Sequence, residues 1–168
     1  MVKTKHKEKI TYLMYYFQPV DGNPTLMPIK STEKSAGYDL FAQQSDFVMP
    51  GQCVLIRTGV KTVMPDNIMG LVCSRSGLAF KQQVFVLNAP GIIDADYDQE
   101  IGVLLFNAGK HEFHINAGMR IAQMVFVESA TAAHITTSAA RTGGFGSTGV
   151  SSLSVEDLTQ YDELDTPK

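Results

Sequence analysis

Gly91-Ile92-Ile93-Asp94-Ala95-Asp96-Tyr97-Asp98-Gln99-Glu100 lies between the apolar runs Val84 to Leu87 and Ile101 to Phe106. Both flanks are rich in Val, Ile, Leu and Phe and too short to be independent helices, while Asn88-Ala89-Pro90-Gly91 and Asp96-Tyr97-Asp98 carry turn chemistry. The pattern predicts a β-hairpin that carries a carboxylate. Asp94 and Asp96, two apart, share one face of a continuous strand, whereas a turn between them sends them to different surroundings and leaves room for one beside a ligand. Read alone, Asp96, Asp98 and Glu100 are equally a solvated turn, because charge clusters at turns are ordinary.

Working outward, Ile10 to Val20 is aromatic and apolar and stops at Pro19 and the Asp21-Gly22-Asn23-Pro24 turn cluster, which predicts a first strand. Gly37 to Ala42, Cys53 to Thr58 and Ile68 to Cys73 read as strands bounded by Pro50-Gly51, Thr58-Gly59 and Pro65-Asp66-Asn67. Phe113 to Ile115, Ile121 to Val127 and Ala132 to Ile135 continue the series. Short strands at this spacing predict an all-β sandwich or barrel. One helix is expected, from Ser76 to about Gln83, with Ser74 or Ser76 as its N-cap and Leu78, Ala79 and Phe80 as its apolar residues.

A chain of 168 residues with 44% apolar and 18% charged composition holds one globular domain plus tails. A net charge of −3 gives no footprint for a nucleic-acid polymer but leaves mononucleotides open. Cys53 and Cys73 stand apart without a CxxC pair, so a reducing compartment is expected. No apolar run approaches the roughly 20 residues of a membrane span, so a soluble chain with no membrane contact is expected. Lys3, Lys5, His6, Lys7 and Lys9 read as a solvated terminus, lacking the apolar run of a secretory leader. His111 and His114 suggest zinc only weakly, because no further Cys or His pair has ligand spacing. The eight dispersed Met residues read as core filler.

The end divides in two. Arg141-Thr142-Gly143-Gly144-Phe145-Gly146-Ser147-Thr148-Gly149 has four Gly in nine residues, which composition alone reads as a linker. A linker has no need of Phe145, however, and an Arg followed by hydroxyls and glycine amides suits a clamp on a phosphate chain. Leu153 to Lys168 is acidic and reads as a disordered tail, with Ser154 capping a short helix as the alternative.

Five segments in order resemble the motifs of the homotrimeric dUTPases, which hydrolyse dUTP to dUMP and pyrophosphate. They are Ala36-Gly37-Tyr38-Asp39-Leu40-Phe41-Ala42, Ser74-Arg75-Ser76-Gly77-Leu78-Ala79, Asn88 to Tyr97, Arg120-Ile121-Ala122-Gln123-Met124, and Arg141 with Gly143 to Gly149. The resemblance implies an all-β distorted jelly-roll, or β-clip, with one short helix, in a homotrimer whose C-terminal arms are exchanged and whose active sites are shared between subunits. The expected layout is an N-terminal extension over 1–24, the β domain over 25–137, a Gly-rich closing arm over 138–149 and an acidic tail over 150–168. A cytoplasmic enzyme is implied, one that limits uracil in DNA and supplies dUMP for thymidylate synthesis. An unknown protein partner of the tail is kept open.

Roles follow from the matching positions. Asp94 matches the residue that activates the attacking water, and Tyr97 the ring under the deoxyribose, where a 2'-OH collides. Asn88, with Gly91 and Ile93, matches the uracil pocket, whose shape rejects thymine and whose polarity rejects cytosine. Phe145 matches a lid on the base. Arg75, Ser76, Gly77, Gln123, Arg141, Gly146, Ser147 and Thr148 match the phosphate grip. Mg2+ is the expected cofactor, held mostly by triphosphate oxygens and water, with Asp39 organising its water shell. Asp98-Gln99 departs from the family's usual Arg-Gly, and Lys81-Gln82-Gln83 lacks the glycine often found after the helix. The rival readings are a dCTP deaminase, which needs a pocket Glu, and a nucleotide-binding regulatory module.

Overall fold

In the computed structural model residues 15–20 and 26–130 are described. They form strands Tyr16–Pro19 (β1), Tyr38–Phe41 (β2), Asp46–Val48 (β3), Cys53–Arg57 (β4), Val60–Val63 (β5) and Ile68–Cys73 (β6), the helix Ser76–Gln82 (α1), and strands Val84–Val86 (β7), Gly91–Ile93 (β8), Gly102–Asn107 (β9), Phe113–Ile115 (β10) and Arg120–Glu128 (β11). The all-β expectation holds. A four-stranded sheet β2-β11-β6-β8 and a three-stranded sheet β4-β9-β7 are joined by the pairs β1-β5 and β10-β3. The short, partly polar β3 and β5 carry too little alternation to be read from sequence alone.

The core lies between the sheets. Leu40, Val48, Ile56, Val84, Val86, Ile101, Val103, Leu105, Ile115, Ile121 and Met124 bury their side chains there. In β9, Val103 and Leu105 point inward while Leu104 and Phe106 are only half-buried, so an unbroken apolar run serves two faces. Asn107 closes the inner row. Its Nδ2 donates to the carbonyls of Val48 and His111, both at 2.8 Å, and its Oδ1 accepts from the Gly109 amide at 2.8 Å, so a buried amide is satisfied. At the other edge Tyr15, Phe17, Tyr38 and Phe126 pack ring to ring at centroid distances of 4.5 to 5.8 Å and hold β1 across the sheet.

The hairpin prediction needs correction. Its flanks do meet, β7 and β9 pairing antiparallel at Val84↔Asn107, Phe85↔Phe106 and Val86↔Leu105. The segment between them is no hairpin tip, because β8 leaves the sheet and pairs with β6 at Val72↔Gly91, Leu71↔Ile92 and Gly70↔Ile93. Too many residues separate the flanks for a tight turn, and the β-branched Ile92-Ile93 takes up the free edge of the second sheet. Glycine permits the approach. A Cβ on Gly70 would lie 1.8 Å from Met124 Cε and 3.3 Å from Ile93 Cβ.

The helix begins where expected but is capped differently. Arg75 is the N-cap, with extended backbone and no side-chain cap bond, while Ser74 Oγ instead accepts the Val86 amide at 3.0 Å. Strand β7 thus claims the hydroxyl that the sequence offered to the helix. The strand predicted over Ile10 to Val20 is present as β1, its first residues through Met14 lying outside the described residues, as do Ala132 to Ile135, the Gly-rich arm and the tail. No helix among the described residues is long and apolar enough to cross a membrane.

Gln83 ends the helix in the left-handed region at φ 57°, its amide donating to the Leu78 carbonyl. A side chain is strained there, and glycine is not. Gln83→Gly is expected to raise stability by roughly 0.5–1 kcal/mol, read as a higher urea midpoint with an unchanged slope. A lower midpoint would show that the Gln83 side chain contributes more than its backbone costs.

Candidate active site

Asp39, at the middle of β2, is buried at 6% exposure and is shared by two guanidinium groups. Its Oδ1 accepts from Arg75 Nε at 3.0 Å, and its Oδ2 from Arg120 Nη1 at 3.2 Å and from Ser31 Oγ at 3.2 Å. Arg75 Nη1 also donates to the Arg120 carbonyl at 3.0 Å. A buried carboxylate held by two cations leaves a net positive spot whose guanidinium groups remain partly exposed. Such a spot is suited to a phosphate chain. Motif matching gives Arg120 no chemical role, although it opens the Arg120-Ile121-Ala122-Gln123-Met124 motif. Its place at the start of β11 beside Phe41 of β2 is what brings it to Asp39.

Gln123 supports this cluster from beneath. Its Nε2 donates to the Ser74 carbonyl at 2.9 Å, and its Oε1 lies 2.6 Å from where a Cβ on Gly37 would stand. The amide therefore shapes the Ser74-Arg75 turn, and glycine at 37 is needed for the fit. Ser76 and Gly77 are exposed at the start of the helix, and a Cβ on Gly77 would meet nothing within 4 Å.

The second group of residues belongs to β8 and the turn after it. Asn88 is exposed, its Nδ2 3.2 Å from where a Cβ on Gly91 would be; Ile93 is half-buried. Asp94 is half-buried beside a cleft of about 530 Å3 lined by Asp66, Ile68, Met69, Ala95, Asp96 and Ser129. The Tyr97 amide donates to the Asp94 carbonyl at 3.1 Å, closing a turn, and the Tyr97 ring is buried. Asp94 is half-buried and Asp96 exposed, which is the division of surroundings that a turn between them allows. Asp98 and Gln99 are exposed and bond to each other, Gln99 Nε2 to Asp98 Oδ1 at 2.6 Å.

These two groups do not meet within one chain. Ile93 pairs with Gly70 near the start of β6, whereas Arg75 follows Cys73 at its end. The four steps from Met69 to Cys73 span about 13 Å of backbone at ~3.3 Å per residue, so Asp94 and Arg75 lie near opposite ends of the strand. Arg141, Phe145, Gly146, Ser147 and Thr148 lie outside the described residues. No group of three or more His, Cys, Asp or Glu among the described residues is placed to hold a metal ion. His114 Nε2 contacts Glu112 Oε1 at 3.0 Å at the surface.

Comparison with known proteins gives the family and the fold. The dUTPase family model matches residues 23–149. The deoxyuridine 5'-triphosphate nucleotidohydrolase of Rickettsia typhi is 44% identical over 131 residues, covering 74% of this chain and 88% of that protein. The Gloeothece citriformis enzyme of the same name is 40% identical over 132 residues, covering 76% and 91%. Among solved structures, the dUTPase of Streptococcus mutans superposes with a TM-score of 0.67 at 26% identity, covering 71% of this chain and 99% of that one. A mutant dUTPase of S. aureus phage phi11, described with a coordinated structural Mg(II) ion, shares the fold at a TM-score of 0.66 and 24% identity, covering 75% and 97%.

Removing the shared carboxylate leaves two guanidinium groups facing each other. Asp39→Ala is expected to destabilise the protein by roughly 1–3 kcal/mol, the lower part of the range reflecting the exposure of Arg120, and Asp39→Asn by less. The check is the urea midpoint of each variant, and equal midpoints for Asp39→Ala and the parent would show that the pairs contribute nothing.

Proposed function

The chain belongs to the dUTPase family and hydrolyses dUTP to dUMP and pyrophosphate, and we propose that Asp94 holds the water that attacks the α-phosphate. The position of Asp94 supports this reading: a half-buried carboxylate at the rim of a cleft is desolvated enough to orient a water and open enough to reach a substrate. The ring of Tyr97 forms the floor under the deoxyribose, where a 2'-OH has no room. Asn88, Gly91 and Ile93 line the uracil edge, and Phe145 closes over the base. Arg75, Ser76, Gly77, Gln123 and, from the arm, Arg141, Gly146, Ser147 and Thr148 hold the phosphates, and Arg120 joins them through Asp39.

The single observation that carries the assembly is the separation of Asp94 from Arg75 along β6. Placing the water-holding group and a phosphate grip at opposite ends of β6 supports a site completed by a second copy of the chain. We infer a homotrimer with sites built between subunits, the assembly that the family resemblance implies. The chain's outward faces support association. Leu55 and Leu87 are 47 to 50% exposed in the sheet that carries the half-buried Leu104, Phe85 and Phe106 or next to it, Ile92 of β8 is 61% exposed, and Phe80 of the helix is 88% exposed. Apolar surface of this kind favours burial against a neighbour.

Mg2+ would arrive on the substrate, held by triphosphate oxygens and water and not by a cage of carboxylates among the described residues. Asp39, already shared by two guanidinium groups, has lone pairs left only for the water shell of an ion. Bound there, the ion neutralises phosphate oxygens and holds the chain in line. The free thiols of Cys53 and Cys73 suit the cytoplasm.

Pyrophosphate release from dUTP, dCTP, dTTP and UTP, with Mg2+ and with EDTA, tests the reaction. Release from dUTP alone, weakened by EDTA, is the expected outcome; ammonia from dCTP, or dUTP binding without release, points to the deaminase or the regulatory reading. Asp94→Asn is expected to keep dUTP affinity while losing roughly 10²–10⁴ in kcat. Asp94→Asn and Arg75→Ala chains coexpressed in equal amounts, each inactive alone, are expected to recover activity in about a quarter of all sites. No recovery would place both residues of a site in one subunit.

A further inference from the structure

Glu100 is not the solvated turn residue that the charge pattern allows. Its Oε2 accepts from Arg57 Nε at 2.8 Å and pairs with Nη2 at 2.6 Å, while its Oε1 accepts the Gly59 amide at 2.7 Å. The Glu100 side chain is 16% exposed. Its backbone carbonyl accepts the Tyr97 hydroxyl at 3.1 Å. The next residue is fastened to the same place: the Ile101 amide donates to the Val60 carbonyl at 2.8 Å, and the Ile101 carbonyl accepts Thr58 Oγ1 at 2.6 Å. Gly59, at φ 72°, turns the chain between β4 and β5 so that its amide faces the carboxylate.

The end of the Asp94 to Glu100 loop is thus latched to the β4–β5 turn by side chain and main chain together, and the Tyr97 hydroxyl is tied to the latched residue. We propose that Glu100 is a positioning residue for sugar selection, fixing through Gly59 and Arg57 the carbonyl that holds Tyr97 and so the depth of its ring. This rests on Tyr97 lying under the deoxyribose. A ring excludes one added hydroxyl only if it cannot retreat, so the discrimination depends on what braces the ring as much as on the ring itself. Glu100→Gln retains an acceptor for the Gly59 amide and loses the ion pair; Glu100→Ala loses both.

The measurement is kcat/KM for dUTP and for UTP, with the thermal midpoint recorded for each variant. Glu100→Ala is expected to lower the dUTP-to-UTP ratio by about tenfold or more, with KM for dUTP moving more than kcat, and Glu100→Gln to recover most of the ratio. Glu100→Asp carries a carboxylate one methylene short of the Gly59 amide and is expected to lose discrimination at a near-parental midpoint, which keeps the test open if the alanine variant does not fold. A lowered midpoint with an unchanged ratio in these variants makes Glu100 merely structural and overturns the proposal. Tyr97→Ala separates the two layers. If it loses discrimination while Glu100→Ala and Glu100→Asp keep it, the positioning role alone fails; if Tyr97→Ala itself discriminates like the parent, the reading of Tyr97 fails and takes the proposal with it.

Discussion

The pairing of β8 with β6 is the constraint on which the rest of the structure depends. It joins the segment after β7 to the four-stranded sheet, and Gly70 leaves room there for the Met124 and Ile93 side chains. With β8 on one side and β11 on the other, β6 is paired along both edges. Its two ends then become fixed points. One presents Asp94 to a cleft, and the other presents Arg75 to Asp39 and Arg120.

The electrostatics at these two ends differ in kind. Asp39 is buried and its charge is compensated by two guanidinium groups, an arrangement that is costly to break but leaves positive charge facing outward. The Arg75 side chain cannot wander, since Nε and Nη1 are both engaged. That preorganisation suits an anion whose charge changes little on binding but must be held in line. At the other end the carboxylates Asp66, Asp94 and Asp96 surround the cleft without a neighbouring guanidinium among its lining residues.

The outer faces give the same account from packing. In β7 and β9 the inner Val84, Val86, Val103 and Leu105 are fully buried, as is Ile56 of β4, yet Leu55, Phe85, Leu104 and Phe106 face outward as well. A sheet with water on one side alternates apolar with polar residues, whereas these strands are apolar on both. Cys53 lies exposed on the outer row, where partial desolvation by its neighbours pushes its thiol above the ordinary value.

The strands were legible because their residues repeat with period two and end at Pro and Gly: β2, β4, β6, β10 and β11 lie within a residue or two of where the pattern places them, as does the helix. Motif order alone was enough to point to the family and to nominate Asp94, Tyr97 and Arg75. Three matters were decided only by tertiary structure. That β8 pairs with β6 instead of closing a hairpin depends on an edge supplied by a strand about twenty residues earlier, and local pattern does not record which edge is free. Likewise, Ser74 leaves the helix for the Val86 amide, and Arg120 joins Arg75 across Asp39, through contacts that span 12 to 81 positions. Periodicity reports which face a residue takes in its own element, but the partner on the other side of that face is chosen by how the elements pack, and so are the fit of Glu100 to the Gly59 amide and the distance between Asp94 and Arg75.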